Sequence, residues 1–334
     1  MAKSGYIGVN GIARKMKGGY IGVNGIARKV KKMYIGVNGT ARLCWENDPG
    51  WIQTTLPVAA NWNKVCYGNG KFVAINNSNA TAAYSTDGIN WTAITPSEGY
   101  NGWQIICYGN GKFVVVNGTS CAYSTDCINW TLNYNIPYAY WNSICYANGK
   151  FVATGHDSAA IVAYSTDGIN WSSVTLPDKL YYPDICYGNG KFVIVGQDGG
   201  SSTGVNVGYY STDGINWTRF TMPTSNYGCL CYGNGKFVVV AVDNVGNRIG
   251  YYSTDGINWT QFTMPNAMWM AICYDNGKFV AVALQGQIAY STDGVNWTDD
   301  TSLNTGNWTD VCYGGNKFVA VSMYYSTKAA YWKQ

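Results

Sequence analysis

The residues of this chain with chemistry to offer are eleven cysteines, one histidine, and an aspartate that recurs in a single setting, Ser-Thr-Asp-Gly-Ile-Asn-Trp. Seven cysteines, Cys66, Cys107, Cys145, Cys186, Cys231, Cys273 and Cys312, follow one another at intervals of 38 to 45 residues. A zinc pair sits about two to four residues apart, so this spacing is a repeat length, and the thiols read as small buried apolar side chains without redox or metal duty. Cys121 and Cys127 flank one predicted hairpin turn; a disulfide between them is weighed against a reducing compartment. His156, the sole histidine, excludes a multi-histidine metal site and leaves at most a weak general base in a variable loop beside Asp157. No metal and no cofactor is expected. Gly-Asn-Gly-Lys, repeated along the chain, is a hairpin turn rather than a phosphate loop, because no helix follows and the lysine opens a strand. The glutamates are Glu46 and Glu98 alone, which argues against a glutamate-based glycosidase pair.

These residues must be held by elements, and the repeat defines them. The unit is aromatic-x-x-(Ile/Val)-Cys-Tyr-Gly-Asn-Gly-Lys-Phe-Val, a variable stretch, then Tyr-Ser-Thr-Asp-Gly-Ile-Asn-Trp-Thr. Four strand-like runs in a period near 40 residues are the pattern of a β-propeller blade. Abundant glycine (41 residues), 15% aromatics and 12% charged residues suit short strands joined by tight turns. The fold class is therefore all-β: a seven-bladed β-propeller over residues 45–334, with an N-terminal β-hairpin repeat extension over residues 1–44. The Tyr-Ser-Thr turn is counted at Ser85, Ser124, Ser165, Ser211, Ser253, Ser291 and, degenerately, at Ser326. The last unit runs out before a fourth strand, while Trp51-Ile-Gln-Thr-Thr-Leu-Pro57 looks like one. Residues 51–57 are expected to complete the blade of residues 308–328 and so remove the open edges.

Asp87, Asp126, Asp167, Asp213, Asp255 and Asp293 are expected to accept hydrogen bonds from turn amides, and Trp91, Trp130, Trp171, Trp217, Trp259 and Trp297 to form blade core. Six copies of one acid are architecture, not a catalytic set. An aromatic also stands four residues before every periodic cysteine: Trp62, Trp103, Trp141, Tyr182, Tyr227, Trp269 and Trp308. The seven either seal the blade interfaces or ring the channel mouth as a stacking surface for sugars.

Residues 6–42 carry a second repeat, Tyr-Ile-Gly-Val-Asn-Gly-x-Ala-Arg, starting at Tyr6, Tyr20 and Tyr34, 14 residues apart. Each copy is a minimal hairpin around Asn-Gly, marginal alone and better stacked or paired between chains. Nine basic residues and no acid precede Trp45, which leaves about −5 for the remainder. The basic residues lack interleaved stacking aromatics beyond one tyrosine per copy, so nucleic acid is not the expected partner. Tyr6, Arg14, Tyr20, Arg28, Tyr34 and Arg42 are the candidate attachment residues. No apolar run approaches the roughly 20 residues that span a bilayer, so no membrane insertion is expected. Met1 to Tyr6 lacks the apolar core of a secretory signal, so synthesis and folding in a cytoplasm are expected.

Ser-Thr-Asp-Gly-Ile-Asn-Trp resembles the Asp-box turn of sialidase-like propellers, with glycine directly after Asp and one residue fewer before Trp. A sialidase of that kind uses three arginines on the sugar carboxylate; the propeller here has Arg219 and Arg248 only, so no enzymatic activity is expected. The hairpin repeats resemble short repeats near the N-termini of tail proteins from phages and prophages of Gram-positive bacteria. That resemblance implies a virion tail location, with residues 1–44 bound to other tail or particle subunits and a propeller facing outward; the marginal hairpins, better held when paired between chains, suggest a homo-oligomer, with a trimer as the expected state.

The turns after the first and third strands are nearly invariant, and strand alternation puts both on one face; the other two connections vary and open on the opposite face. Scaffolds hold constant what folds and vary what binds. The variable face is therefore the expected recognition surface for a host cell-surface glycan or protein, with Tyr100, Trp103, Tyr138, Tyr140, Trp141, Tyr181, Tyr182, Tyr227, Trp269 and Trp308 as candidate ligand residues. The alternative is a structural or decoration subunit with no ligand.

Overall fold

The computed structural model describes residues 50–78, 81–94, 102–157, 159–198, 206–223, 227–241, 249–303 and 305–333, together with the backbone of strands within 6–46; at 197, 198, 227, 241 and 333 it likewise describes backbone alone. The chain divides into two compact units, Met1–Gly50 and Trp51–Lys333, with Gln334 grouped with the first.

In the first unit three two-stranded sheets pair Tyr6–Val9 with Ile12–Lys15, Tyr20–Val23 with Ile26–Lys29, and Lys32–Val37 with Thr40–Glu46. Tyr6 lies opposite Lys15 and Tyr20 opposite Lys29, with Arg14 and Arg28 one step in, opposite Ile7 and Ile21. In the third hairpin Arg42 keeps its place opposite Ile35, but an irregularity between Met33 and Tyr34 sets Tyr34 opposite Leu43.

The second unit is a seven-bladed propeller in which every blade is a four-stranded antiparallel sheet. The innermost strands are, from blade 1 to blade 7, Trp62–Gly68, Ile105–Gly109, Tyr140–Ala147, Leu180–Gly188, Tyr227–Gly233, Trp269–Asp275 and Trp308–Gly314. Each turns back through Asn-Gly or its variant; in blade 1, Asn69 and Gly70 have φ of 46° and 74°. Two successive positive φ angles match the twist of the flanking strands, which is why this dipeptide ends the first strand. The second strands are buried on both faces, as in Phe72, Val73, Ala74 and Ile75, because a neighbouring blade covers each side. Their apolar runs are therefore continuous rather than alternating. Each core cluster straddles a seam; one joins Val73 and Ile75 of blade 1 to Ile106, Phe113 and Val115 of blade 2. Burying one such Phe contributes roughly 1.5–3 kcal/mol.

The Asp turns are networks. In blade 3, Asp167 Oδ1 accepts from the Ile169 and Asn170 amides at 2.8 Å and from Ser165 Oγ at 2.9 Å, while Asn170 Nδ2 donates to Oδ2 at 2.8 Å. The turns also latch the ring. Lys71 Nζ and Asn69 Nδ2 of blade 1 donate to the carbonyls of Asp126 (2.9 Å) and Thr125 (3.3 Å) in blade 2, and Lys112 and Asn110 repeat this onto blade 3. The two repeated turn types thus share one face. The six Asp-turn tryptophans are half-buried rather than fully buried; they cap the outer ends of the blades against phenylalanines, as Trp91 does on Phe72 at 6.4 Å between ring centroids.

Blade 7 is built from both ends of the unit, in the order Trp308–Gly314, Lys317–Ser322, Ser326–Lys333, Gly50–Ala60. Its register corrects the degenerate Asp turn at Ser326. Val319 pairs with Tyr331 as Val73 pairs with Tyr84, so Trp332 occupies the place of Ser85 and Ser326 opens the strand instead. Burial fixes this: Ala329 and Ala330 are fully enclosed, one against each neighbouring blade, and a one-residue slip would force the larger Lys328 or Tyr331 into the space of an alanine. Trp332 packs on Phe318 (6.3 Å) and Trp51 (5.8 Å), and Lys278 of blade 6 lies 4.7 Å from its ring centroid.

Candidate functional site

Two places gather side chains that the fold itself does not consume. The first lies on the variable face, across blades 3 and 4. Cross-strand pairing sets His156, the last residue of Lys150–His156, opposite Tyr140, the first of Tyr140–Ala147. Irregularities after Trp141 and Tyr181 break the ladders where these strands enter the ring, and bulges of this kind re-aim side chains. His156 then stands among tyrosines: its ring centroid is 5.7 Å from Tyr140, 5.4 Å from Tyr181 and 5.6 Å from Tyr182. Tyr138 meets Tyr140 edge-on at 5.8 Å between ring centroids. Lys179 Nζ sits 4.9 Å from the centroid of Tyr181.

Tyr138, Tyr140 and Tyr182 keep 48%, 52% and 60% of their surface in solvent, so they present open ring faces. Burial, then the nearby Lys179, holds the His156 imidazole below its usual pKa, with Asp157 opposing. The imidazole is thus mainly neutral at pH 7, and its Nδ1 is 2.9 Å from Asn142 Oδ1. Nδ1–H therefore donates to that carbonyl oxygen, which leaves Nε2 as an acceptor. The patch offers flat apolar faces, phenolic hydroxyls, one acceptor nitrogen and one ammonium group.

The structure separates the candidate residues. Tyr138, Tyr140, Tyr181 and Tyr182 come together here. Trp103, Trp141, Trp269 and Trp308 are enclosed, at 3% exposure or less, within clusters that seal adjacent blades. They have no face left for a ligand. Tyr182 escapes because Leu180, fully buried, fills the seam in blade 4, while Tyr182 adopts φ 49° and turns outward. Tyr100 and the Tyr227 side chain lie outside the described residues. So do the side chains of Tyr6, Arg14, Tyr20, Arg28, Tyr34 and Arg42. Cys121 and Cys127 are both free thiols and belong to clusters on different seams.

The second place is the central channel, where all seven inner strands enclose a cavity of about 190 Å³. The residue two before each periodic cysteine lines it: Lys64, Ile105, Ser143, Asp184, Cys229, Ala271 and Asp310. Lys64 Nζ is 3.8 Å from Asp310 Oδ1, and the Val65 amide donates to Asp310 Oδ2 at 2.8 Å, joining blades 1 and 7. Asp184 accepts from the amides of Ile185 (2.8 Å) and, in blade 5, Leu230 (2.7 Å). Burial pushes both carboxyls up in pKa against the pull of Lys64, and Asp310 raises Lys64 in turn. The periodic cysteines are half-buried rather than the buried side chains their spacing suggested, and desolvation still pushes their thiols up, Cys231 to about 12, which keeps them protonated at neutral pH. This charged layer was missed in the sequence, although its signal is there: one position varies inside an otherwise near-constant strand. Among the described residues no group of three or more His, Cys, Asp or Glu is placed to hold a metal ion.

A family model described as the DUF6242 beta propeller domain matches residues 27–249. No curated protein matches the chain in sequence. Among solved structures the chain is similar to a streptogramin B lyase, at 13% identity and TM-score 0.68 over 85% of this chain and 97% of that one. It is similar also to virginiamycin B lyase from Staphylococcus aureus, at 16% identity and TM-score 0.69 over 85% and 99%. YCF48 bound to D1 peptide aligns at 13% identity and TM-score 0.68 over 87% and 97%. Identities this low establish a shared fold only.

Proposed function

We propose that this chain, which belongs to the DUF6242 β-propeller family, is a non-enzymatic recognition module that binds carbohydrate on a cell surface through the tyrosine patch of blades 3 and 4. The observation that carries the reading is the gathering of Tyr138, Tyr140, Tyr181 and Tyr182 around His156 with three of the tyrosine rings about half exposed. Soluble proteins seldom leave clustered aromatics in water without a partner, and open tyrosine faces suit the C–H faces of sugars while their hydroxyls meet the sugar hydroxyls. Propellers similar to this one include a lyase and a peptide-bound protein, so fold alone does not choose among these roles. What argues against turnover is the chemistry on hand: the sole histidine is hydrogen-bonded to an amide rather than to a carboxylate or a nucleophile. The hairpin repeats fit the attachment role, fixing the propeller to a tail-like particle.

The test is binding of the full chain to a glycan array and to whole Gram-positive cells. Tyr140→Ala combined with Tyr182→Ala should abolish binding while leaving the melting temperature unchanged within about 1 °C, since both rings are exposed. Undiminished binding by that variant, or cleavage of the bound polysaccharide, would overturn the reading.

A further inference from the structure

Tyr324 and Tyr325 form the short connection between the second and third strands of blade 7, on the same face as the patch of blades 3 and 4. They are 61% and 72% exposed, and both adopt left-handed backbone, with φ of 65° and 49°. Tyrosine pays for that conformation sterically, and glycine or asparagine would adopt it more readily. The conformation is nevertheless held. The Tyr325 amide donates to Asn61 Oδ1 at 2.9 Å, the Met323 amide to the Asn307 carbonyl at 3.0 Å, and the Asn307 amide to Ser322 Oγ at 3.0 Å. The two tyrosines border a cleft of about 400 Å³ whose remaining lining is mostly polar, with Asn307, Thr327 and Lys328 among it. Neither ring belongs to a core cluster that would explain its presence.

We infer that this cleft is a second saccharide site, taking neutral or anionic sugar units; the inference rests on the carbohydrate reading above. Two rings provide the stacking surface, amide and hydroxyl groups meet the sugar hydroxyls, and Lys328 sets the charge preference. Blade 7 stands three blades round the ring from blade 4, so the two sites engage separate units of one repeating polymer. A polymer long enough to reach both gains effective concentration at the second site, on the order of a hundredfold in avidity, whereas a single sugar gains nothing.

The experiment uses the full chain in two arms. Without ligand, Tyr324→Gly and Tyr325→Gly should each raise the melting temperature by about 1–3 °C, because glycine relieves the backbone; a fall instead makes these tyrosines part of the fold and overturns the site. With a panel of Gram-positive sacculi carrying their wall polysaccharide as the probe, the Tyr324→Ala, Tyr325→Ala double variant should bind at least tenfold more weakly than the parent. Parent binding with an unaffected double variant overturns the second site alone. No parent binding to any sacculus removes the carbohydrate reading and this site with it.

Discussion

Replacing Trp51 by alanine tests whether the ring is held by its closing strand. Trp51 lies on Gly50–Ala60, is 4% exposed, packs 5.8 Å from Trp332 and shares a cluster with Trp308, Phe318 and Ala330. Its amide donates to Ser302 Oγ of blade 6 at 2.9 Å. Truncating a tryptophan this enclosed costs about 3–5 kcal/mol. At about 2–4 °C per kcal/mol for a chain of this size, the melting temperature should fall by about 6–20 °C. The matched control is Trp259→Ala in blade 5, a half-buried tryptophan 6.5 Å from Phe237 whose blade is covalently continuous. Losing less burial and opening no edge, it should cost about 1–2 kcal/mol. Differential scanning calorimetry reads both, and urea unfolding adds a check: Leu56→Ala, on the same closing strand and 1% exposed, should behave like Trp51→Ala. Should Trp51→Ala melt no lower than Trp259→Ala, the closing strand is not what holds the ring and the argument fails.

Three further outcomes follow from the packing and the charges. Gly168→Ala should destabilise by about 2–4 kcal/mol in chemical denaturation, because φ is 73° and an added Cβ would lie 2.6 Å from Val114 Cγ2 across the seam. Lys64→Met should destabilise at pH 7 and progressively less as pH falls toward 4. Asp184 and Asp310 have folded pKa values above their unfolded ones, so their protonated forms favour folding, and that contribution is lost as pH rises through the folded values. Removing Lys64 raises both further; melting curves from pH 4 to 8 measure the effect, and a variant deficit that does not vary with pH would contradict it. The periodic cysteines are half-buried and held protonated, so at pH 8 they should react with a thiol reagent more slowly than they do once denaturant has exposed them; equal rates in the folded and denatured chain would contradict this.

Much of the ring was legible because its determinants are local. Asn-Gly turns, Ser-Thr-Asp turns and the apolar second strands each act within a few residues, and repetition multiplies the signal. The hairpins of residues 6–46 are legible for the same reason. The candidate site was legible only as a list of tyrosines in variable connections. Nothing in that list distinguishes Tyr182, turned outward, from Trp141, sealed in a seam, since both stand four residues before a periodic cysteine. The difference lies in Leu180, which occupies the seam first, and that competition exists only once blades 3 and 4 are packed.

What the sequence by itself determined is the blade: its strand count, its turns and its sevenfold repetition, because those follow from short-range backbone preference and the burial of each unit against its like. Tertiary structure alone decided the rest. It chose the register of blade 7, where enclosed Ala329 and Ala330 place Trp332 in the position of a serine. It brought Lys64, Asp184 and Asp310 from three blades into one channel, and His156 among tyrosines of two blades. Those groupings depend on which faces meet when the ring closes, a long-range condition that no local pattern encodes.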